Sequence, residues 1–342
     1  MKHTFKITLF LVIIFILSQL MGLVIINQYI DIDKTAETGR THVKEEAFNK
    51  TGLTPPQLEP EQENVMWIYI TAAILVGTIL VLLIIRFKQH RIWKSWFLLS
   101  IGICLYIALA QFVSRILETT GIDSNANIWP FSTLGLPITY VGLFTILLVI
   151  FLIYMKVYKK DIIFHNITEI FIYGGLAALI VPNISLSAAI ALLIIISIYD
   201  MVAVWKTKHM VSMAKYQTEN KLFAGLMMPY DKKSNKIPLF SKELKETKKS
   251  EKNTENKKTK KASSSIKTAI LGGGDIAFPL IFAGTVMKTF ASFLYPIIIT
   301  ITTAIALYLL LTYSKKDKFY PAMPFISGGS FAGYIIILIF FI

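Results

Sequence analysis

Nine apolar runs punctuate the chain, at residues 7–26, 65–85, 96–116, 134–157, 167–181, 184–205, 270–287, 290–313 and 322–342. A helix rises about 1.5 Å per residue, so about 20 apolar residues cross the hydrocarbon of a bilayer. The pattern predicts an all-α polytopic bundle of nine transmembrane helices. Two runs are short or interrupted, the fifth by Gly174-Gly175 and the seventh by Gly272, Gly273 and Gly274 together with Pro279. The first run follows Lys2 and Lys6 and leaves through Asn27-Gln28-Tyr29 without a small-residue cleavage pattern. It is longer than the apolar part of a signal peptide, about 7–15 residues, and reads as a retained first span.

The polar connections between the runs alternate in charge. Lys2 and Lys6, then Arg86, Lys88, Arg91 and Lys94, then Lys156, Lys159 and Lys160 precede a lysine-rich loop and Lys315, Lys316 and Lys318. The intervening connections are acidic or nearly neutral: residues 27–64 carry 8 acids against 4 bases, and 117–132, Pro182-Asn183 and a short turn at Lys288-Thr289 follow. Basic connections stay on the cytoplasmic side. With nine spans every basic connection falls inside, which puts the N-terminus in the cytoplasm and the C-terminus outside.

Composition agrees. Of 342 residues 54% are hydrophobic and 16% charged, with a mean hydropathy of +0.60, whereas soluble domains carry about 25% charged residues. The lone Cys104 excludes an intramolecular disulfide or a thiolate metal cluster, and suits small-residue packing. The net charge of +14 is local, since residues 206–267 hold 17 Lys against 6 acids. That segment lacks interleaved aromatics, so it reads as a solvated cytoplasmic loop and not as a nucleic-acid site. Its part from 241 to 265 has too few apolar residues to fold and is expected to be disordered. Residues 1–205 thus carry six spans, 206–267 the basic loop and 268–342 three more spans, together one membrane domain.

Against this apolar background two acids stand out, Asp200 after Tyr199 and Asp275 after Gly272, Gly273 and Gly274. A carboxylate near a bilayer centre costs roughly 2.5–3.5 kcal/mol and needs a partner or a wet cavity. Asp200 lies six residues before Lys206, about 9 Å along a helix, and Asp275 eight after Lys267, about 12 Å if helical. Adjacent antiparallel spans would bring them to one depth in the inner leaflet, with the carboxyls within about 7 Å. Two such carboxyls share one proton, so that one activates water while the other polarises a carbonyl. Glycines at 272 and 274 would let backbone approach the pair closely. At the same level Tyr320-Pro321-Ala322-Met323-Pro324 delays the ninth helix, leaving carbonyls that an extended substrate strand would pair with.

Tyr199-Asp200, Gly272-x-Gly274-Asp275 and Pro321-Ala322-Met323, in this order and among nine spans, resemble the presenilin and signal peptide peptidase family of intramembrane aspartyl proteases. The resemblance covers nearly the whole chain and is greatest to archaeal presenilin-like members. It implies Asp200 and Asp275 as catalytic residues, Tyr199 and Gly272, Gly273 and Gly274 as their supports, and Pro321, Ala322 and Met323 as the substrate-binding motif. The presenilin orientation, with the long loop inside, matches the charge pattern. Met323 stands where the family motif carries leucine, a swap of similar volume, and Gly273 stands where leucine is common. The long loop has no apolar stretch of the kind at which eukaryotic presenilins cleave themselves. Expected partners are membrane-protein substrates and lipid, with a homo-oligomer left open, and neither cofactor nor metal.

Each signal has a plainer reading beside it. Asp200 would serve as a helix-end residue near Lys206 or His209, Asp275 as a helix N-cap after a glycine turn, and Pro321 and Pro324 as helix openers. A prepilin-type aspartyl peptidase or a cation- or proton-coupled transporter using the two aspartates are the rival functions. A serine protease at Gly328-Gly329-Ser330 lacks a spanning histidine, and no His-Glu-x-x-His is present for zinc. Gly329-x-x-x-Gly333 reads as close helix packing.

Overall fold

A computed structural model describes residues 5–38, 40–51, 59–87, 89–121, 127–129, 138–159, 161–206, 223–231, 266–314 and 320–341. The segment 241–265 and Lys315, Lys316 and Lys318 lie outside the described residues. In chain order the elements are α1 (Phe5–Tyr29), two short helices α2 (Ile32–Thr38) and α3 (Glu45–Thr51), α4 (Pro60–Arg86) and α5 (His90–Thr119). Next come β1 (Asn127–Trp129), β2 (Ile138–Thr139) and α6 (Tyr140–Tyr154), which runs into a π-helical turn, Met155–Lys159. Then follow α7 (Ile162–Ile180), α8 (Leu186–Met201) with a second π-helical turn, Val202–Lys206, β3 (Gly225–Asp231) and β4 (Ile266–Gly272). The chain closes with α9 (Gly274–Phe290), α10 (Leu294–Tyr313) and α11 (Met323–Phe340).

Starts are written locally. Pro60 opens α4 behind a capping box between Glu59 and Gln62, and the side chains of Thr139, Asp161 and Ser185 accept amide hydrogens at the starts of α6, α7 and α8. Each satisfies backbone donors that the first helical turn leaves unpaired.

Among the described residues, eight helices are long and apolar enough to cross a membrane. The seventh run behaves differently from a uniform helix. Its first residues belong to β4, antiparallel to β3 in a register from Gly225↔Gly272 to Asp231↔Ile266, and α9 keeps only 17 residues. The mostly helical bundle thus carries a short sheet beside it, with Gly225–Asp231 of the lysine-rich segment as one of its strands. Alternation explains the strand: Ala269 and Leu271 are buried while Ile270 between them is exposed, the period of two that a pleated strand imposes. Ala269 packs with Met228 against Ile7 and Leu11 of α1.

α9 is the axis of the bundle. It touches α1, α7, α8, α10 and α11, and from Pro279 to Lys288 every side chain is buried. A helix apolar on all sides is one enclosed by others. Its C-terminal end is fixed by Lys288, 4% exposed, whose ammonium donates to Thr41 Oγ1 at 2.9 Å and Ile184 O at 2.8 Å and pairs with Glu63 at 3.3 Å. The expected turn at Lys288-Thr289 therefore moves outward to Ala291, which takes a left-handed conformation at φ +48°. Lys288→Met is expected to lower stability by about 2 kcal/mol, the scale of hydrogen bonds to a charged group. Unfolding in micelles measures it.

Gly174-Gly175 does not interrupt the fifth span. α7 is continuous through both, and they are sites of contact: a Cβ on Gly174 would meet Ile25 at 2.4 Å, and one on Gly175 would meet the Cys104 carbonyl oxygen at 1.9 Å. Gly329 and Gly333 do the same for α11, whose added Cβ atoms would strike Thr302, Thr303, Ala306 and Ile299 of α10. Ser330 between them is hydrogen-bonded to Thr303 at 3.0 Å.

Candidate active site

Asp200 is the penultimate residue of α8, just before the π-helical turn, and is 5% exposed. A π-turn widens the helix locally and such turns recur at functional sites. Asp200 Oδ2 accepts the backbone N–H of Met323 at 3.1 Å, with the Ala322 amide beside it. That amide belongs to the first turn of α11, where donors lack intrahelical partners and the helix dipole favours negative charge. Pro321 is buried and Ala322 partly buried at the same place. The proline-opened start of α11 and the acid of α8 are thus one site, further joined by the Ser197 hydroxyl donating to Ser327 at 2.8 Å.

Asp275 is the second residue of α9, directly after the strand-to-helix turn, and is partly buried. It takes a hydrogen bond from the Gly272 amide, and the charge of Asp200 acts on it, α8 and α9 being packed together. The glycines divide their work. A Cβ on Gly272 would lie 3.1 Å from Asp275 Oδ2, and one on Gly273 would lie 2.6 Å from the Tyr173 hydroxyl. A Cβ on Gly274 would meet only the Phe278 ring at 3.4 Å. The close approaches expected at 272 and 274 therefore fall on 272 and 273. Gly272→Ala is expected to cut the cleavage rate about tenfold, because small displacements of a reacting group are costly, and to leave the unfolding midpoint in place. Initial rates and a melt on one preparation check both.

Tyr199 is turned to a different neighbour. Its hydroxyl is 2.9 Å from that of Thr78 on α4, so it ties the acid-bearing helix to a helix that is mostly outside the core.

A polar cluster behind the glycines was not foreseen. Glu169 is hydrogen-bonded by both Lys156 and Tyr173, with His165 Nε2 at 3.8 Å. His165 Nε2 also bonds Gly225 O at 2.9 Å, and the Asn166 amide both donates to Met227 O and accepts from Met227 N. The signal was present in the sequence: His165, Glu169 and Tyr173 recur every four residues, one face of a helix, inside an apolar run.

The chain is a multi-pass helical bundle that carries two buried or half-buried acids on packed helices, α8 and α9. The family model of "signal-peptide peptidase, presenilin aspartyl protease" matches residues 43–342, and the chain belongs to that family. It is an aspartic-type intramembrane endopeptidase, a multi-pass membrane protein whose substrates are membrane proteins. Among solved structures it is similar to a presenilin family intramembrane aspartate protease in a C222 crystal form, at 14% identity and a TM-score of 0.55, covering 96% of this chain and 97% of that one. A P2 form gives 14% identity and a TM-score of 0.53, with 95% of each chain covered. At that identity the likeness is one of fold. No curated protein is detectably similar in sequence.

Proposed function

We propose that Asp200 and Asp275 are the catalytic dyad. One carboxylate takes a proton from water as the water oxygen attacks the scissile carbonyl carbon, and the other carboxyl, protonated, donates to the carbonyl oxygen. The gem-diol intermediate collapses as the C–N bond breaks: the leaving nitrogen takes the proton drawn from water, and one hydroxyl returns its proton to the other carboxylate, which restores the singly protonated dyad. The observation that supports this is the placing of the two acids on packed helices, one held by the Met323 amide at the start of α11 and the other with an oxygen 3.1 Å from where a Cβ on Gly272 would lie.

In this reading α9 crosses as the seventh of nine spans, the N-terminus and the basic loop lie in the cytoplasm, and the C-terminus lies outside. Tyr199 and Gly272, Gly273 and Gly274 support the acids. The membrane is the cytoplasmic membrane of a prokaryote, in keeping with the archaeal resemblance. Pro321, Ala322 and Met323 border the substrate, and β4, which has a strand on one edge only among the described residues, offers its other edge to an extended segment. Paired there, an unwound transmembrane segment would present its backbone to the dyad.

The test is purified protein in liposomes with a transmembrane peptide. Two products are expected, with masses that place the cut inside the apolar stretch. An intact peptide together with proton-coupled solute uptake would overturn the reading in favour of a transporter.

A further inference from the structure

We propose that Tyr173, anchored by the buried Lys156–Glu169 pair, is a positioning residue that sets the location of Asp275. The proposal rests on the dyad reading above.

Lys156 and Glu169 are 5% and 1% exposed, and Tyr173 is 4% exposed. A buried ion pair is poor evidence of stability, because desolvation offsets its attraction, but it selects one arrangement over its neighbours. Here both Glu169 oxygens are used, Oε1 by the Lys156 ammonium and Oε2 by the Tyr173 hydroxyl. A buried hydrogen-bonded network of this kind restrains what it touches. The phenol is thereby fixed in both rotamer and depth.

What it touches is the turn before the acid. The Tyr173 hydroxyl and two ring carbons would lie 2.6, 3.1 and 3.0 Å from a Cβ on Gly273, so the phenol fills the space a side chain there would need. Gly273 is the N-cap of α9, and its carbonyl accepts from Ile276 at 3.2 Å and Ala277 at 2.9 Å. A shift of Gly273 would carry the first turn of α9, and Asp275 within it. The same helix also grips the strand that leads there. Asn166 and His165 bond the backbone of Met227 and Gly225 on β3, and Gly225 pairs with Gly272. α7 therefore holds the turn directly through Tyr173 and indirectly through the sheet. Catalytic groups need placing to about 0.5 Å, and an error of about 1 Å can cost a hundredfold in rate.

The experiment compares Tyr173→Phe, Gly273→Ala, their combination and Asp275→Ala in the full-length protein in liposomes, reading kcat, KM and unfolding midpoint. Tyr173→Phe keeps the ring and loses only the anchored hydroxyl. The expectation is a kcat about tenfold to a hundredfold lower with KM near that of the unaltered protein, and a modestly lower midpoint, still above the assay temperature, because the buried Glu169 Oε2 loses its donor. Gly273→Ala should lower kcat as well, and the combined variant should be less impaired than the product of the two, since residues in contact are not additive. A Tyr173→Phe kcat equal to that of the parent would overturn the proposal. So would a loss of kcat that merely follows a lowered midpoint, or strict additivity in the combined variant. Cleavage retained by Asp275→Ala would instead overturn the dyad reading, and inactivity of that variant beside a normal Tyr173→Phe would sink the positioning role alone.

Discussion

Asp200→Ala and Asp275→Ala are each expected to abolish cleavage, with rates at least about a thousandfold lower, the scale of losing a positioned acid–base group. The two losses should not multiply in the double variant, because residues that act as a unit are grossly non-additive. Alanine at 200 also strands the Met323 N–H that the carboxylate now accepts, so a structural change could mimic a chemical one. Asp200→Asn separates them. The amide oxygen can still accept that N–H, while the amide cannot exchange a proton with water. Loss of activity with an unchanged melt in Asp200→Asn would place the defect in chemistry. Cleavage of a transmembrane peptide, read by mass spectrometry, is the measurement, and activity retained in either single variant would remove that residue from the mechanism.

The largest structural effect is expected at Gly175, where α5 and α7 meet. An added methyl would sit 1.9 Å from the backbone oxygen of Cys104 and 3.3 Å from the Ala108 side chain. No rotamer change relieves a clash with backbone, so α5 and α7 would have to separate. Overpacking typically costs 1–3 kcal/mol, and here about 3 kcal/mol is expected for Gly175→Ala. Gly77 on α4 is the control, because nothing lies within 4 Å of its added Cβ. Gly77→Ala should be neutral or slightly stabilising, as alanine is the better helix former. Equal melts for the two variants would show that α5 and α7 do not approach so closely.

Much of the bundle was legible because lipid leaves little choice. Apolar runs of spanning length have to be helical when their backbone has no water to bond, and this fixed eight of the helices. The seventh run broke the rule at its start, where the sheet with β3 satisfies the backbone instead. An Ile270-Leu271 pair looks the same at the head of a helix as at the tail of a strand, and only Ala269, Ile270 and Leu271 show the alternation. The depth inferred for Asp275 changes accordingly, since a strand advances about 3.3 Å per residue against about 1.5 Å for a helix. Asp200, Asp275 and the Pro321-Ala322-Met323 segment were readable because charge and proline are rare in such surroundings. Tyr173 was legible only as the last of the His165, Glu169 and Tyr173 stripe, and its closeness to Gly273 shows only once the two are folded together. Glycine pairs were ambiguous in the same way: Gly174-Gly175 looked like a break and is a seam between helices.

The anchorage of α9 bears on how a substrate gets in. The helix is held by the α7 phenol at one extremity and by the Lys288 ammonium at the other. Room for an incoming polypeptide then has to come from displacement of the helices around it. The carboxyl that travels during admission would be that of Asp200, joined to the periphery through the Tyr199–Thr78 hydroxyl contact, while Asp275 stays where it is.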